Sequence, residues 1–244
     1  MMDFTLAAKL AFSGARELKN EDVCFVGIGV PSDAAVLAKH THAPDMTLIY
    51  ESGVIGADPL VPPLSTGSPS VADGALMITD GLTVFSELQA GRINVGLLSA
   101  AQVDRRGNLN STVIGSYESP KLRMVGSGGA HDIACLAGRL VILMPHDPRR
   151  FVQNVDFITS PGTDAEARKK LGLGGGPSAL VTERARFSFE TGFARLSAIM
   201  PGYSEEDAVE DIPWSFDKSE NFEVVSAFPE NDVETARRRL EHLF

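Results

Sequence analysis

Short apolar runs without polar alternation recur along this chain, separated by stretches with helical spacing. Residues 24–28 (Cys24-Phe25-Val26-Gly27-Ile28), 47–50, 93–98 and 140–144 read as strands suited to burial on both faces. Residues 76–78 form a weaker candidate, and 123–125 another. Helices are expected at 31–39, with Pro31 in the first turn, at 82–89, closed by Gly91, and at 130–137. Strands buried on both faces and alternating with helices imply an α/β fold with an open, mostly parallel sheet and flanking helices. Past about residue 149 the pattern changes. Residues 180–182, 185–189 and 193–199 read as antiparallel strands and 222–228 as a further strand. A terminal helix is expected at 230–244 with Asn231 as its cap, and 172–177 reads as a flexible loop. The expectation is one domain over residues 1–244, with a mixed antiparallel C-terminal part.

Composition narrows the classes. The chain has 244 residues, 43% of them hydrophobic, and a formal net charge of -10. No Lys/Arg run is dense enough for a general nucleic-acid face, although Arg105-Arg106 and Arg149-Arg150 are local basic spots for an anionic ligand. No stretch approaches the ~20 apolar residues of a membrane span. The N-terminal apolar stretch follows Asp3 and is interrupted by Lys9, which fits a docked amphipathic helix better than a signal peptide. Two cysteines, Cys24 and Cys135, are too few for a disulfide framework or a zinc site, and they read as reduced core residues. A cytoplasmic protein is expected. His40-Thr41-His42 reads as a solvated helix end, and no metal spacing links the histidines. Trp214 reads as a packing anchor or subunit contact.

The candidate chemistry centres on Glu51, a lone carboxylate at the end of the apolar run 46–50. One reading is a dinucleotide site: Gly27-x-Gly29 follows a strand, and Glu51 ends the next where a ribose-binding acid belongs, but the third glycine is Ser32. A second is a nucleophile beyond the carboxyl end of a strand, with little bulk beside it because Ser52-Gly53 follow. A third is an acid that caps the following turn.

Two further stretches bear on the choice. Residues 101–112 (Ala-Gln-Val-Asp-Arg-Arg-Gly-Asn-Leu-Asn-Ser-Thr) follow a strong strand, and the amides of Gln102, Asn108 and Asn110 suit hydrogen bonds to a ligand, while Gly107-Asn108 alone would make an ordinary turn. Gly126-Ser127-Gly128-Gly129-Ala130 lies between a strand and a helix. Its glycines allow backbone N–H groups close to a ligand at a helix start, which makes an oxyanion hole or simply a tight turn.

At these residues the sequence resembles the β subunits of family I CoA-transferases, closest to the glutaconate type. The resemblance is carried in order by Ala43-Pro44-Asp45 leading into Tyr50-Glu51-Ser52-Gly53, by Ala101-Gln102-Val103-Asp104 with Gly107-Asn108-x-Asn110-Ser111-Thr112, by Gly126-Ser127-Gly128-Gly129-Ala130, and by Thr159-Ser160-Pro161-Gly162. It implies the CoA-transferase/NagB-like fold, with Glu51 as nucleophile and Gly128 and Gly129 as backbone oxyanion donors. Gly27, Gly29, Ser52, Gly53, Gln102, Asn108, Asn110, Gly126, Ser127 and Ala130 would line the substrate and CoA site. Coenzyme A would be substrate and covalent intermediate, with no metal or redox cofactor. The partner would be an α subunit in an αβ heteromer, with the active site between the chains. Members that lack the glutamate decarboxylate or cleave C–C bonds, so Glu51 favours transfer. Acyl-CoA hydrolysis or C–C bond cleavage on the same scaffold, and a non-catalytic module that binds CoA esters or nucleotides, are the rival readings. No role follows for His131-Asp132.

Overall fold

The computed structural model describes residues 4–59 and 63–244. The strands are β1 (Val23–Val26), β2 (Thr47–Tyr50), β3 (Val54–Ile55), β4 (Met77–Ile78), β5 (Val95–Leu98), β6 (Gln102–Val103), β7 (Leu109–Asn110), β8 (Val113–Gly115), β9 (Pro120–Arg123), β10 (Arg139–Leu143), β11 (Pro177–Val181), β12 (Ala185–Ser188), β13 (Arg195–Ile199) and β14 (Lys218–Val224). The helices are α1 (Leu6–Ala15), α2 (Val30–Lys39), α3 (Gly81–Gln89), α4 (Ala130–Leu136), α5 (Ala165–Leu171), α6 (Glu205–Val209) and α7 (Glu230–Arg239). One sheet runs in the order β14-β13-β12-β11-β10-β5-β1-β2-β3-β4. Its centre, from β11 through β10, β5 and β1 to β2, is parallel. Beyond β2, β3 and β4 turn back antiparallel, and beyond β11 so do β12 and β13. The open, mostly parallel sheet with a mixed C-terminal part is therefore present.

Alternation along each strand divides the core into two layers. Cys24, Val26, Leu48, Tyr50, Val141 and Leu143 pack beneath α1, α2 and α7. Phe25, Ile49, Leu140 and Ile142 pack with Val84 and Leu88 of α3, Ile133 and Ala134 of α4, and Trp214. Trp214 is buried edge-on to Phe151 and Phe216, as a packing anchor. A Cβ on Gly96 of β5 would lie 2.5 Å from Ile133 Cγ2, so the missing side chain lets α4 settle directly on the sheet. That contact fixes the helix whose start faces Glu51.

Several local expectations differ from the structure. The last strand is Lys218–Val224 rather than 222–228, and it is parallel to β13 after a crossover through α6. The two ranges share residues 222–224; the start was missed because its buried residue is Ser219, between the exposed charges of Lys218 and Glu220, which leaves no apolar run there. The segment around 123–125 is the end of a β8–β9 hairpin outside the main sheet. Asn231 lies inside α7, whose first turn follows Pro229 without a side-chain cap, and the helix ends at Arg239. Residues 172–177 are a tight connection from α5: the N–H of Gly174 donates to Cys135 O (2.7 Å), and a Cβ there would meet Ala137 O at 2.1 Å. The pair expected to be solvated, His40 and His42, is engaged instead. His40 Nε2 lies 2.7 Å from Asp58 Oδ1, and His42 Nε2 lies 3.1 Å from the carbonyls of Ala15 and Leu18.

Candidate active site

Glu51 follows β2 at the carboxyl edge of the parallel strands. Tyr50 points into the α1/α2 layer, where its hydroxyl meets Ser32 Oγ at 2.8 Å, so the alternation sends Glu51 to the α3/α4 side. The turn is held from behind: the N–H of Gly53 donates to Tyr50 O (3.0 Å), and Thr79 N–H donates to Gly53 O (2.8 Å). Gly53 has φ +106°, and a Cβ on it would lie 2.5 Å from Thr79 O, so only glycine fits there.

Across from Glu51 stands the glycine loop. A Cβ on Gly129 would lie 2.7 Å from Glu51 Oε2 and 2.6 Å from Phe85 Cζ. Gly128 takes φ +47° and Gly129 caps α4. Neither backbone N–H donates to another group among the described residues, whereas Ala130 N–H closes a turn onto Ser127 O (2.8 Å). A cleft of about 430 Å³ is lined by Glu51, Ser52, Thr66, Phe85, Gly128, Gly129 and Asp132. Thr66 Oγ1 is Glu51's hydroxyl neighbour, at a long 3.4 Å from Oε1. A half-buried carboxylate beside two free N–H groups in an open cleft can attack a carbonyl and stabilise the oxyanion that results.

The amides expected to meet a ligand are turned inward. Gln102 Oε1 accepts from Asn110 Nδ2 (2.6 Å) and Asp156 N (3.1 Å), and Gln102 Nε2 donates to Asp156 Oδ2 (3.0 Å). Asn110, fully buried, also binds the backbone of Thr112 and Val113. Asn108 donates to Asp104 Oδ2 (2.8 Å) and accepts from Gly162 N (2.7 Å). These motifs buttress the glycine loop. Thr159 Oγ1 accepts from Ser111 N (2.9 Å), and Ser111 grips Gly126 twice, through Oγ to Gly126 O (2.9 Å) and through its own O from Gly126 N (3.0 Å). His131 Nδ1 donates to Thr159 O (2.9 Å), and its other ring nitrogen faces Cys135 Sγ at 3.6 Å. Arg168, buried in the unforeseen α5, donates to the carbonyls of Ala134, Pro161, Gly162 and Gly174. It thereby ties α4 to the 159–162 segment. Both cysteines are free and buried, and burial pushes both thiols up.

Residues 9–210 match the family described as Coenzyme A transferase. The chain belongs to the coenzyme A transferase family. It is 42% identical to the B subunit of 3-oxoadipate CoA-transferase from Pseudomonas knackmussii, over 97% of this chain and 94% of that protein. It is 34% identical to the B subunit of glutaconate CoA-transferase from Acidaminococcus fermentans, over 93% of this chain and 89% of that one. The crystal structure of glutaconate coenzyme A-transferase from the same organism superimposes with a TM-score of 0.86 at 32% identity, covering 97% of this chain and 96% of that one. The chain is thus a CoA-transferase B subunit.

Within this CoA-transferase, Glu51, Ser52, Gly128 and Gly129 meet in one cleft, with Gly53, Gly126, Ser127 and Ala130 shaping its backbone. Gly27 and Gly29 lie at the end of β1; Gly29 caps α2 on the opposite face of the sheet from the Glu51 carboxylate, which removes the dinucleotide arrangement. Thr66, Phe85 and Asp132 line the cleft without standing out in the sequence as site residues. Phe85 carries a helix-core signal and Thr66 lies in a stretch without periodicity. Asp132 stands out only as half of an unassigned pair. His146 Nε2 donates to Glu210 O (2.8 Å), and His131 to Thr159 O, so neither ring is paired with the other.

Proposed function

We propose that Glu51 is the covalent nucleophile of CoA transfer between an acyl-CoA and a free dicarboxylic acid. The observation that carries this reading is the placement of the Glu51 carboxylate against Gly129, beside the free N–H groups of Gly128 and Gly129. A carboxylate oxygen of Glu51 attacks the thioester carbonyl. The C–S bond breaks, CoA leaves as thiolate, and a mixed anhydride remains. The thiolate then attacks the Glu51 carbonyl carbon, the first acid departs as carboxylate, and Glu51 holds CoA as a thioester. The acceptor carboxylate attacks that thioester, and the two steps run in reverse. Each tetrahedral oxyanion forms where the N–H pair can donate to it. The thioester energy stays on the protein, and CoA serves as substrate without any resident cofactor.

A dicarboxylic substrate is supported by the two relatives, which are named for 3-oxoadipate and glutaconate. Among the described residues the cleft is lined by two acids, Glu51 and Asp132, and by no cation. A second substrate carboxylate therefore calls for a positive group from another chain. We assign that role to an α subunit seated over the Glu51 cleft. Both relatives are B subunits, and Leu64, Leu76, Met77, Ile78 and Leu82 are large apolar side chains left more than half exposed, on the segments that also carry the cleft residues Thr66 and Phe85. Two free buried thiols fit the reducing cytoplasm, and among the described residues no helix is long and apolar enough to cross a membrane.

Intact-mass analysis of the paired chains with acyl-CoA tests the reading. The wild type should gain the mass of CoA less one water, on the peptide with Glu51. Glu51→Gln should gain nothing and transfer no CoA while melting at an unchanged temperature. Transfer at an undiminished rate by Glu51→Ala would sink it. Release of CoA without an acceptor acid would mark the chain as a hydrolase.

A further inference from the structure

Among the described residues, Phe85 is the only apolar side chain on the wall of the Glu51 cleft. It belongs to α3 and follows Gly81 by four residues, on the helix face whose Val84 and Leu88 are fully buried. The start of α3 is tied to the Glu51 turn. Asp80 caps the helix by accepting from Thr83 N (2.8 Å), and a Cβ on Gly81 would lie 3.1 Å from Glu51 O. One turn later the ring of Phe85 leans on Phe25 of β1, which is fully buried, with centroids 5.2 Å apart.

The free edge of that ring reaches Gly129. A Cβ on Gly129 would lie 2.6 Å from Phe85 Cζ, 3.2 Å from Cε1 and 2.7 Å from Glu51 Oε2. These distances start from one point, so the ring and the carboxylate flank the same spot. The unengaged N–H groups of Gly128 and Gly129 belong to that spot as well. Packing of α3 on the sheet would account for an apolar residue at this rim. Val84 and Leu88 already supply that packing, however, and Phe85 is left half-buried with its edge in the cleft.

The chemistry gives the ring a task. A thioester on Glu51 is open to water as well as to an acceptor carboxylate. Water would add to the Glu51 carbonyl carbon and the C–S bond would break. CoA would leave as thiolate and take up one proton, the second proton would pass to solvent, and Glu51 would return as a carboxylate with the thioester lost. A water seated for that attack needs about two to four polar partners. The cleft holds them in Thr66, Asp132 and the N–H pair. Phe85 fills the sheet side of this polar cleft with a group that offers no hydrogen bond. A second chain laid over the open mouth does not reach that side, because Phe25 and the sheet stand behind it.

We propose that Phe85 determines which acceptor resolves the Glu51 thioester: it denies water a seat there, so that a carboxylate takes the CoA. Exclusion of water from a reactive intermediate is a recognised use of apolar walls. The proposal rests on the reading that Glu51 carries CoA.

The test uses the paired enzyme, loaded with acyl-CoA and desalted to remove free CoA and free acid. The CoA mass on the Glu51 peptide is then followed with no acceptor present. The wild-type adduct should persist. Phe85→Ala should shorten its half-life about tenfold or more, for which a seated water needs to lower the barrier by only about 1.4 kcal/mol. Phe85→Leu, which refills most of the space, should fall between the two and serves as the probe should the alanine variant not fold. With acceptor acid added, the loaded wild type should yield acyl-CoA, and Phe85→Ala a mixture of acyl-CoA and free CoA. A half-life unchanged in both variants would overturn the proposal. So would an equal fall in CoA release and in transfer, which marks a packing role alone. The two readings fail differently: a wild type that forms no adduct defeats the nucleophile and this proposal together, whereas an adduct of unchanged lifetime defeats only this proposal.

Discussion

The α-carbon of Gly129 faces the carboxylate of Glu51 so closely that a methyl group added there would lie 2.7 Å from Oε2. The two residues come from different loops, and each is held from behind: Glu51 by the Gly53–Thr79 turn, Gly129 by α4 seated on Gly96. Gly129→Ala should therefore push the carboxylate off its line of attack. We expect kcat to fall about 100-fold, the scale of an ångström-sized misplacement, with far-UV circular dichroism unchanged. Gly128→Ala meets no neighbour within 4 Å, but its φ of +47° resists a side chain, so its loss should be smaller.

Asp132 adds a second negative charge to the cleft and makes no ion pair among the described residues. Asp132→Asn should lower KM for a free dicarboxylate a few-fold, because like charges within a cleft repel by about 1 kcal/mol or more. The gap between variant and wild type should shrink as salt rises. Steady-state kinetics at two ionic strengths checks both.

Asn110 and Gln102 distinguish a buttress from a ligand contact. Asn110→Ala should destabilise the fold by about 1–3 kcal/mol, since it orphans buried groups of Gln102, Thr112 and Val113. Denaturant melts should show the loss. KM for acyl-CoA in the remaining folded enzyme should stay near the wild-type value.

His146 gives the stability curve an acid limb. Burial holds its imidazole below the ordinary 6.5, and the ring lies 2.8 Å from Glu210 O. As pH falls below about 6.5 the unfolded chain gains a proton that the folded one refuses, so stability drops until the folded value is reached. Above 6.5 the group contributes no slope. His146→Gln should flatten the melting temperature between neutral and mildly acid pH.

The parallel centre of the sheet was legible because β1, β2, β5 and β10 are apolar on both faces, and burial on both faces leaves no other composition open. Of β14 only residues 222–224 were, since an edge strand is free to carry charge at its start. At the site, Glu51 and the glycine loop announced themselves through residue types that a core does not favour. The inward turn of Gln102, Asn108 and Asn110 did not, because the same amides serve a ligand and a neighbouring loop equally well. Phe85 and Thr66 reach the cleft only through tertiary placement, which no local pattern encodes.

The sheet ends at β4, two residues long, with Met77 and Ile78 more than half exposed and Leu76 beside them at 82%. Only the brevity of that strand blunts the border, since among these three residues there is no lysine, no proline and no inward charge. Copies produced without a mate should clump through their own rims, and the amount of usable enzyme in a cell should track whichever chain is scarcer.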